Sequence, residues 1–199
     1  MRLIERLLIV IGIVCLGIYG FITVQAWFQQ AELRSQLEEQ IVVPSPPASI
    51  KVRPRLSEGD LVGRLEVPRL NLSVMVMEGT SDRTLRLGAG HIPGTGYPGT
   101  TGNAGFAAHR DTFFRDIRNI KQQDLVQFTT PRGTLAYRVS ALSIVDPKDV
   151  DVLKSTNSET ITLVTCYPFY YIGPAPKRFV VQATRDAANS AEVSNLLTQ

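Results

Sequence analysis

The C-terminal third of the chain places a cysteine and an arginine where they can act on an acyl carbon. Cys166 ends the apolar segment TLVTC, and Arg178 begins the segment RFVVQA, with eleven residues between them. Two such segments predict neighbouring antiparallel strands, whose adjoining ends meet at one rim of a sheet. A thiolate is a strong nucleophile toward an acyl carbon, and a guanidinium stabilises the oxyanion that the attack creates.

A histidine from a different strand end can complete this chemistry. The chain has two histidines, His91 and His109, and His109 closes the predicted strand AGFAAH. An imidazole can protonate a leaving amine and then deprotonate an incoming nucleophile. Together with Cys166 and Arg178, His109 therefore predicts acyl transfer through a thioester, a reaction that needs no metal and no other cofactor.

Each of these three residues also has an ordinary structural interpretation. A lone cysteine in an apolar strand usually behaves as a small buried hydrophobe. His109 after FAA fits a hydrogen-bonded core histidine, and Arg178 fits a solvated strand end. On this alternative the domain is a non-catalytic, membrane-tethered barrel that binds peptide or glycan. A thiol redox protein is disfavoured, because the second cysteine, Cys15, lies in a separate N-terminal segment.

Four neighbouring residues are second candidates for the site. Thr165 can hydrogen-bond a substrate backbone, or it is β-branched filler of its strand. His91 can flank the pocket from a Gly- and Pro-rich loop, although a structural role is favoured. Tyr167 opens an aromatic run that can line a groove or pack on the barrel itself. Asp111 can orient the histidine two residues before it, although a helix N-cap is favoured.

The elements that must position these residues are mainly strands. Seven segments have the apolar and polar pattern of short strands: 61–67, 70–76, 104–109, 124–130, 133–146, 160–166 and 178–183. Brief helices are expected at 80–88 and after 111. Short strands at hairpin spacing with few helices predict a mainly β fold, as a closed or nearly closed β-barrel.

The N-terminus predicts one transmembrane helix that is not cleaved. Residues 7–24 read LLIVIGIVCLGIYGFITV, close to the roughly 20 apolar residues that a bilayer requires. Arg2 and Arg6 precede this run, which favours a cytoplasmic N-terminus. No small-x-small cleavage site follows it. We therefore expect a single-pass protein of the cytoplasmic membrane with its catalytic domain outside the cytoplasm.

Four regions follow from these patterns. We predict a signal anchor at 1–28, a polar helix and Pro-rich spacer at 29–56, a barrel domain at 57–185 and a tail at 186–199. The net charge is +3, and the basic residues are scattered, so no nucleic-acid partner is predicted. The acidic residues lack calcium-binding spacing, and no metal site is predicted.

Three motifs resemble one family of bacterial surface enzymes. TLVTCYPF resembles the Thr-Leu-x-Thr-Cys signature of the sortases, which are membrane-anchored transpeptidases. AAHRDTFF is similar to their histidine segment, KRFVVQA is similar to their arginine strand, and the stretch CYPFYYIGPAPKRF is most similar to class D. One departure is Ala108, where family members commonly have glycine. Its methyl group narrows the pocket without removing the chemistry.

The resemblance implies a fold, a site and a reaction. The fold is the closed eight-stranded sortase barrel, with Cys166 as nucleophile, His109 as general acid and base, and Arg178 as the oxyanion- or substrate-binding group. The substrates are secreted proteins with a C-terminal Leu-Pro-x-Thr-Gly-like sorting signal, which is cleaved after Thr. An amine of a cell-wall precursor or of a pilin lysine then receives the acyl group, whereas water gives hydrolysis.

Overall fold

Eight short strands and two α-helices make up the regular structure of the described residues. The computed structural model describes residues 2–42 and 56–186. The elements are α1 (Arg2–Val42), β1 (Leu61–Val67), β2 (Leu72–Glu78), α2 (Asp82–Leu87), β3 (Ala89–His91), β4 (Gly102–Ala107), β5 (Leu125–Thr130), β6 (Gly133–Val145), β7 (Glu159–Tyr167) and β8 (Lys177–Arg185). Short 3-10 helices lie at Pro68–Leu70, Asp116–Asn119 and Asp151–Leu153.

The strands close into a barrel in the order β1-β2-β3-β4-β7-β8-β6-β5, and β5 pairs back to β1. The pairs β2–β3 and β4–β7 are parallel, and the other pairs are antiparallel. Closure satisfies the backbone groups that an open sheet leaves at its edges. The predicted closed, eight-stranded, mainly β barrel is confirmed.

Side chains on the inner face of the barrel form its core. Phe106 and Phe128 stack with ring centroids 5.1 Å apart, and Ile161 and Leu163 on β7 are fully buried beside them. Burial of each such side chain stabilises the fold by roughly 1.5–3 kcal/mol. Successive residues of a strand point to opposite faces of the sheet. Because Ile161 and Leu163 point into the core, the odd-numbered residues of β7 face the inside of the barrel and the even-numbered residues face the outside.

Two strand predictions need correction. The second strand begins at Leu72 rather than at residue 70, because Pro68–Leu70 forms a 3-10 turn that ends at Asn71 with φ 51°. The sequence also predicted a Gly- and Pro-rich loop at the position of strand β3. This strand has only three residues, Ala89–His91, too few for alternation to be visible.

Helix α1 runs without interruption across the predicted boundary at residue 28. Its C-terminal half contacts the barrel: the Gln30 side chain accepts a hydrogen bond from the Met75 N–H at 2.9 Å and donates to the Leu87 carbonyl, and Leu37 is fully buried. The predicted polar helix that starts at residue 29 therefore packs partly on the barrel domain, through Gln30 and Leu37.

The predicted membrane segment lies within α1. Among the side chains that the structure describes, no helix offers a stretch long and apolar enough to cross a membrane. The transmembrane helix is thus not confirmed and stays a prediction. The Pro-rich part of the spacer, 43–55, and the tail from 187 onward lie outside the described residues.

Candidate active site

Cys166 and Arg178 are paired directly across β7 and β8. They are register partners in the antiparallel ladder, between the pairs Thr165–Phe179 and Tyr167–Lys177. Directly opposed residues project from the same face of a sheet, with Cβ atoms about 4.5–5.5 Å apart. The expectation that Cys166 and Arg178 lie at adjoining ends of neighbouring antiparallel strands is confirmed.

His109 reaches the same place from β4. Strands β4 and β7 are parallel, with Ala107 opposite Val164, and the Ala108 N–H extends the ladder to the Val164 carbonyl at 3.3 Å. Strand β4 ends at Ala107, so the prediction that His109 closes this strand is wrong, and His109 lies two residues beyond its end. We infer from the β4–β7 register that this position is next to the end of β7 that carries Cys166. Thr165 fixes the connection, because its hydroxyl donates to the Ala108 carbonyl at 2.7 Å.

The three residues lie on the outer face of the barrel wall, at the ends of their strands. Leu163 and Thr165 are buried on the inside of β7, so the alternation turns Cys166 outward, where it is half-buried. Ala108 belongs to the core, so the expectation that its methyl group narrows the pocket is wrong. The next residue, His109, then turns outward by alternation. The candidate site thus lies on the outer wall of the barrel, at the strand ends where the sequence predicted it.

We call the strip of outer face from Gly105 to His109 the candidate groove. Gly105 lies at its far end, four residues before His109, and is covered by three side chains. A Cβ atom at Gly105 would lie 3.0 Å from Leu153 Cδ2, 3.1 Å from Ile92 Cδ1 and 3.2 Å from Thr95 Cγ2. These three side chains come from the β6–β7 and β3–β4 connections, which form the two walls. Asn103 holds the β6–β7 wall, since its amide donates to the carbonyls of Val152 at 3.0 Å and Lys154 at 3.3 Å.

Arg178 keeps part of its guanidinium available. Its Nη1 donates to the carbonyls of Ala175 at 3.3 Å and Lys177 at 3.0 Å, which fixes the side chain against its own strand. Within the residues that the structure describes, no hydrogen bond uses its Nε or Nη2. These donors can therefore serve an oxyanion or a substrate carbonyl beside Cys166.

Two predicted substrate-binding residues, Thr165 and Tyr167, flank Cys166 on β7. Thr165 is 3% exposed on the inner side of β7 and is occupied by the Ala108 carbonyl. The Tyr167 ring lies edge-on to Phe169 at 6.1 Å between centroids and is near-parallel to Phe179 at 6.5 Å. The predicted contact of Thr165 with substrate is therefore wrong, since its buried hydroxyl is already bonded within the barrel. Tyr167 is half-buried beside Phe169 and Phe179, and its contact with substrate stays a prediction.

His91, the third predicted substrate contact, is a buried structural residue. It is 1% exposed, its Nδ1 lies 2.9 Å from Glu78 Oε2, and its Nε2 lies 2.8 Å from the Gly96 carbonyl oxygen. A carbonyl can only accept, so Nε2 carries a hydrogen. The Tyr97 hydroxyl donates to the same Glu78 oxygen at 2.9 Å, and its ring stacks on His91 at 4.4 Å. His91 thereby holds the β3–β4 wall in place.

The other end of that wall is held by Tyr137. The Gly99 N–H donates to the Tyr137 hydroxyl at 3.3 Å and to Glu159 Oε1 at 3.0 Å, and the hydroxyl itself donates to Glu159. Burial, and then the hydrogen bond to Glu159, raises the pKa of Tyr137, so the hydroxyl keeps its proton. The wall is therefore pinned near both ends.

Asp111 has neither of its two predicted roles. It is exposed, and none of the hydrogen bonds found between residues 56 and 186 uses its carboxylate. The helical turn that follows instead begins after Arg115. Over the same described ranges, no group of three or more His, Cys, Asp or Glu side chains is placed to hold a metal ion.

Arg110 was not among the residues predicted for the site. Its guanidinium donates to three backbone carbonyls of the β7–β8 loop, those of Pro168, Tyr171 and Gly173. The available signal was its position, one residue after a candidate catalytic histidine. A long-range contact of this kind has no local sequence pattern.

The fold is a closed β-barrel, and its candidate site combines a cysteine, a histidine and an arginine, as in an enzyme with a cysteine nucleophile. Comparisons with known proteins identify the family. The sortase domain model matches residues 65–186. Sortase D of Bacillus subtilis (strain 168) is 34% identical over 128 residues, covering 64% of this chain and 65% of that protein. Sortase A of Listeria monocytogenes is 29% identical over 132 residues, covering 64% and 59%. The chain thus spans about 60–65% of the length of these relatives.

Solved structures show the same architecture. The Clostridium perfringens sortase D5 transpeptidase superposes with a TM-score of 0.70 at 23% identity, over 80% of this chain and 99% of that one. Sortase C from Clostridium perfringens, solved with the C-terminal cell wall sorting motif, gives a TM-score of 0.62 at 27% identity, over 79% and 88%. This chain belongs to the sortase family.

Proposed function

We propose that this protein is a membrane-anchored cysteine transpeptidase that cleaves C-terminal sorting signals and transfers the acyl half to an amine. The observation that carries the proposal is the direct pairing of Cys166 with Arg178 across β7 and β8, with His109 two residues beyond the end of the adjacent parallel strand β4. The rival, a non-catalytic binding barrel, requires Cys166 as a buried packing residue. The outward, half-buried thiol disfavours it.

The first half-reaction makes a thioester. The Cys166 thiolate attacks the carbonyl carbon of the scissile peptide bond, and the carbonyl oxygen becomes an oxyanion. The free N–H groups of Arg178 stabilise this charge in the tetrahedral intermediate. His109 protonates the departing amine as the C–N bond breaks, and the C-terminal fragment leaves.

The second half-reaction transfers the acyl group. An incoming amine attacks the thioester carbonyl while His109 accepts its proton, and the C–S bond breaks to regenerate the Cys166 thiolate. Arg178 again stabilises the oxyanion. The amine comes from a cell-wall precursor or a pilin lysine. Water at the same position yields a free acid instead, so transfer and hydrolysis share every step before the second attack.

The groove fits a short, extended, apolar peptide. From Gly105 to His109 the strand direction covers about 13 Å, at roughly 3.3 Å per residue, which is the span of four extended substrate residues. Ile92 and Leu153 meet over Gly105 at the far end. A sorting signal of the Leu-Pro-x-Thr-Gly type would place its leucine against these apolar side chains and its Thr–Gly bond at Cys166.

The N-terminal segment holds the enzyme at the cytoplasmic membrane. Residues 7–24 contain no charged side chain, and the basic residues Arg2 and Arg6 precede them. The N-terminus then lies in the cytoplasm and the barrel outside it, where secreted substrates pass. We expect a C-terminally tagged protein to be found in the membrane fraction. Protease added to intact protoplasts should remove the tag. A tag protected from protease contradicts this orientation.

The activity test incubates the full chain with a panel of sorting peptides, with and without hydroxylamine. Peptide hydroxamate that forms with wild type and not with Cys166→Ala is the expected result, because hydroxylamine intercepts only an acylated enzyme. Full cleavage by Cys166→Ala would disprove the mechanism. Rapid alkylation of Cys166 by iodoacetamide distinguishes a reactive thiol from an inert packing residue.

A further inference from the structure

The loop that joins the nucleophile strand to the arginine strand is bonded at three of its backbone carbonyls by the side chain of Arg110. Arg110 Nη1 donates to the Pro168 carbonyl at 2.9 Å, and Nη2 donates to the carbonyls of Tyr171 at 2.6 Å and Gly173 at 3.3 Å. These acceptors cover the start and the middle of the β7–β8 loop, residues 168–176. Gly173 adopts φ 104°, a conformation that favours glycine.

The loop has little backbone structure of its own. Among the backbone hydrogen bonds described for residues 168–176, one joins two groups of the loop, from the Tyr171 N–H to the Pro168 carbonyl at 3.4 Å. Tyr170 and Ile172 are 83% and 98% exposed, so they contribute little packing. The three hydrogen bonds from Arg110 are therefore the main polar contacts that fix the path of the loop.

A second arginine from the same segment reinforces the contact. Arg118 Nη1 donates to the Tyr170 hydroxyl at 2.7 Å, and its guanidinium lies 5.4 Å from the centroid of that ring. Both arginines follow His109 in the chain, whereas the loop follows Cys166. The chain after the histidine is thus bonded to the chain after the cysteine.

We infer that Arg110 is a positioning residue of the acyl-transfer site, which locks the β7–β8 loop to the His109 segment and so keeps His109, Cys166 and Arg178 in register. This inference rests on the proposed transpeptidase function. Arg110 follows His109 directly, and the loop begins one residue after Tyr167, so a shift of the loop reaches both catalytic strands. Its guanidinium is occupied by loop carbonyls, which distinguishes its role from that of Arg178.

The geometry requires arginine at this position. A guanidinium offers five N–H donors in a planar fork, and two of its nitrogens serve three carbonyls here. A lysine ammonium is a compact group with three donors and a flexible stem, so it can restore the charge without bridging both ends of the loop. Arg110→Lys is therefore expected to recover only part of what Arg110→Ala loses.

The test compares Arg110→Ala and Arg110→Lys with Arg115→Ala in the full chain in detergent. Arg115 is an exposed arginine of the same segment with no hydrogen bond from its side chain in the described structure, so it is a matched control. Hydrogen exchange of residues 168–176 measures the lock directly. We expect exchange about tenfold faster in Arg110→Ala, and a kcat for thioester formation roughly 10- to 100-fold lower, with a smaller change in KM.

The outcomes separate the inference from the proposed function. Faster loop exchange, lower kcat and partial recovery in Arg110→Lys, with Arg115→Ala unchanged, support the inference. Unchanged loop exchange overturns it, and so does faster exchange without loss of kcat. If wild type forms no Cys166 thioester with any sorting peptide, the proposed function fails. The loop lock is then judged by exchange and by the alkylation rate of Cys166, which must fall in Arg110→Ala and not in Arg115→Ala.

Discussion

Cys166 on β7 and Arg178 on β8 stand directly opposite each other in an antiparallel ladder, and both project from the outer face of the barrel. The pairing makes their proximity a property of the sheet rather than of a loop. The backbone hydrogen bonds of β7 and β8 hold the two side chains at adjacent positions before any substrate arrives. Such preorganisation is what electrostatic stabilisation of an oxyanion requires.

The pairing predicts a graded response at Arg178. Arg178→Ala removes the donors nearest the scissile carbonyl, so kcat for thioester formation should fall roughly 100- to 1000-fold, with a smaller effect on KM. The kcat of Arg178→Lys should lie between those of wild type and Arg178→Ala, because lysine keeps the positive charge but lacks the planar guanidinium. Steady-state hydroxamate formation measures both parameters. Lys177→Ala is the control, since Lys177 is exposed and makes only a 3.6 Å ion pair with Asp146; an equal loss in this variant would contradict the assignment.

The role of His109 as proton donor can be separated from a positioning role. His109→Gln should lower kcat/KM for a peptide substrate by roughly 100- to 10,000-fold. For a depsipeptide with an ester at the scissile bond, kcat/KM should fall much less in this variant, because an alcohol leaving group depends less on protonation by a general acid. Equal losses for peptide and ester would show that His109 acts otherwise. Asp111→Asn serves as the control, and its rate should match wild type because its exposed carboxylate makes no described hydrogen bond.

Sequence patterns were sufficient to predict the pairing of Cys166 with Arg178, because two apolar segments separated by a short Gly- and Pro-containing loop fold locally as neighbouring strands. They did not determine the face of the sheet. In TITLVTC the inward positions are Ile161, Leu163 and Thr165, while the outward ones include Val164 and the cysteine, so both faces carry apolar residues. The assignment needs the closed barrel.

The sequence favoured a structural role for His91, but it could not identify the partner of this histidine. Its partner Glu78 lies thirteen residues earlier and meets it only because β2 and β3 pair in parallel, with Glu78 directly opposite His91. Strand β3 is three residues long, which is too short for an alternating sequence pattern to predict it. Arg110 was missed in the same way, since its three acceptors lie about sixty residues away in the chain.

The buried pair of His91 and Glu78 should be important for stability and not for chemistry. His91→Ala leaves the Glu78 carboxylate without its ring partner in the barrel wall, and the Gly96 carbonyl loses its donor. The expected cost is roughly 2–4 kcal/mol in the free energy of unfolding, measured by urea denaturation. Cys166 should still alkylate in the folded fraction. Loss of alkylation without loss of stability would instead return His91 to the active site.

The Arg69–Asp124 contact predicts acid sensitivity. Hydrogen bonds from the Arg69 side chain lower the pKa of Asp124 below its ordinary value. Partial burial opposes this shift, and the hydrogen bond from the Lys121 N–H at 2.7 Å adds to it. A lowered carboxyl pKa adds stability at neutral pH that is lost as pH falls through the acid range. The Tm of wild type should exceed that of Asp124→Asn by a few degrees at pH 7. This gap should shrink from about pH 5 downward; a gap that is constant with pH contradicts the assignment.

The candidate groove can be tested by adding a single methyl group. In Gly105→Ala the new Cβ would lie 3.0–3.2 Å from Leu153, Ile92 and Thr95, so these flexible side-chain ends must move by a few tenths of an ångström into the groove. We expect KM for a sorting peptide to rise about 3- to 10-fold, equivalent to about 1 kcal/mol, with kcat nearly unchanged.

A second glycine separates this effect from general strain. In Gly63→Ala on β1 the new Cβ would lie 2.4 Å from the Thr129 carbonyl oxygen, a backbone atom that cannot simply turn away. That variant should lose roughly 1–3 kcal/mol of stability and keep its KM. The two substitutions therefore predict opposite patterns, with KM changed at Gly105 and stability changed at Gly63. If Gly105→Ala leaves KM at the wild-type value for every peptide that acylates Cys166, the substrate does not lie along the Gly105–His109 strand.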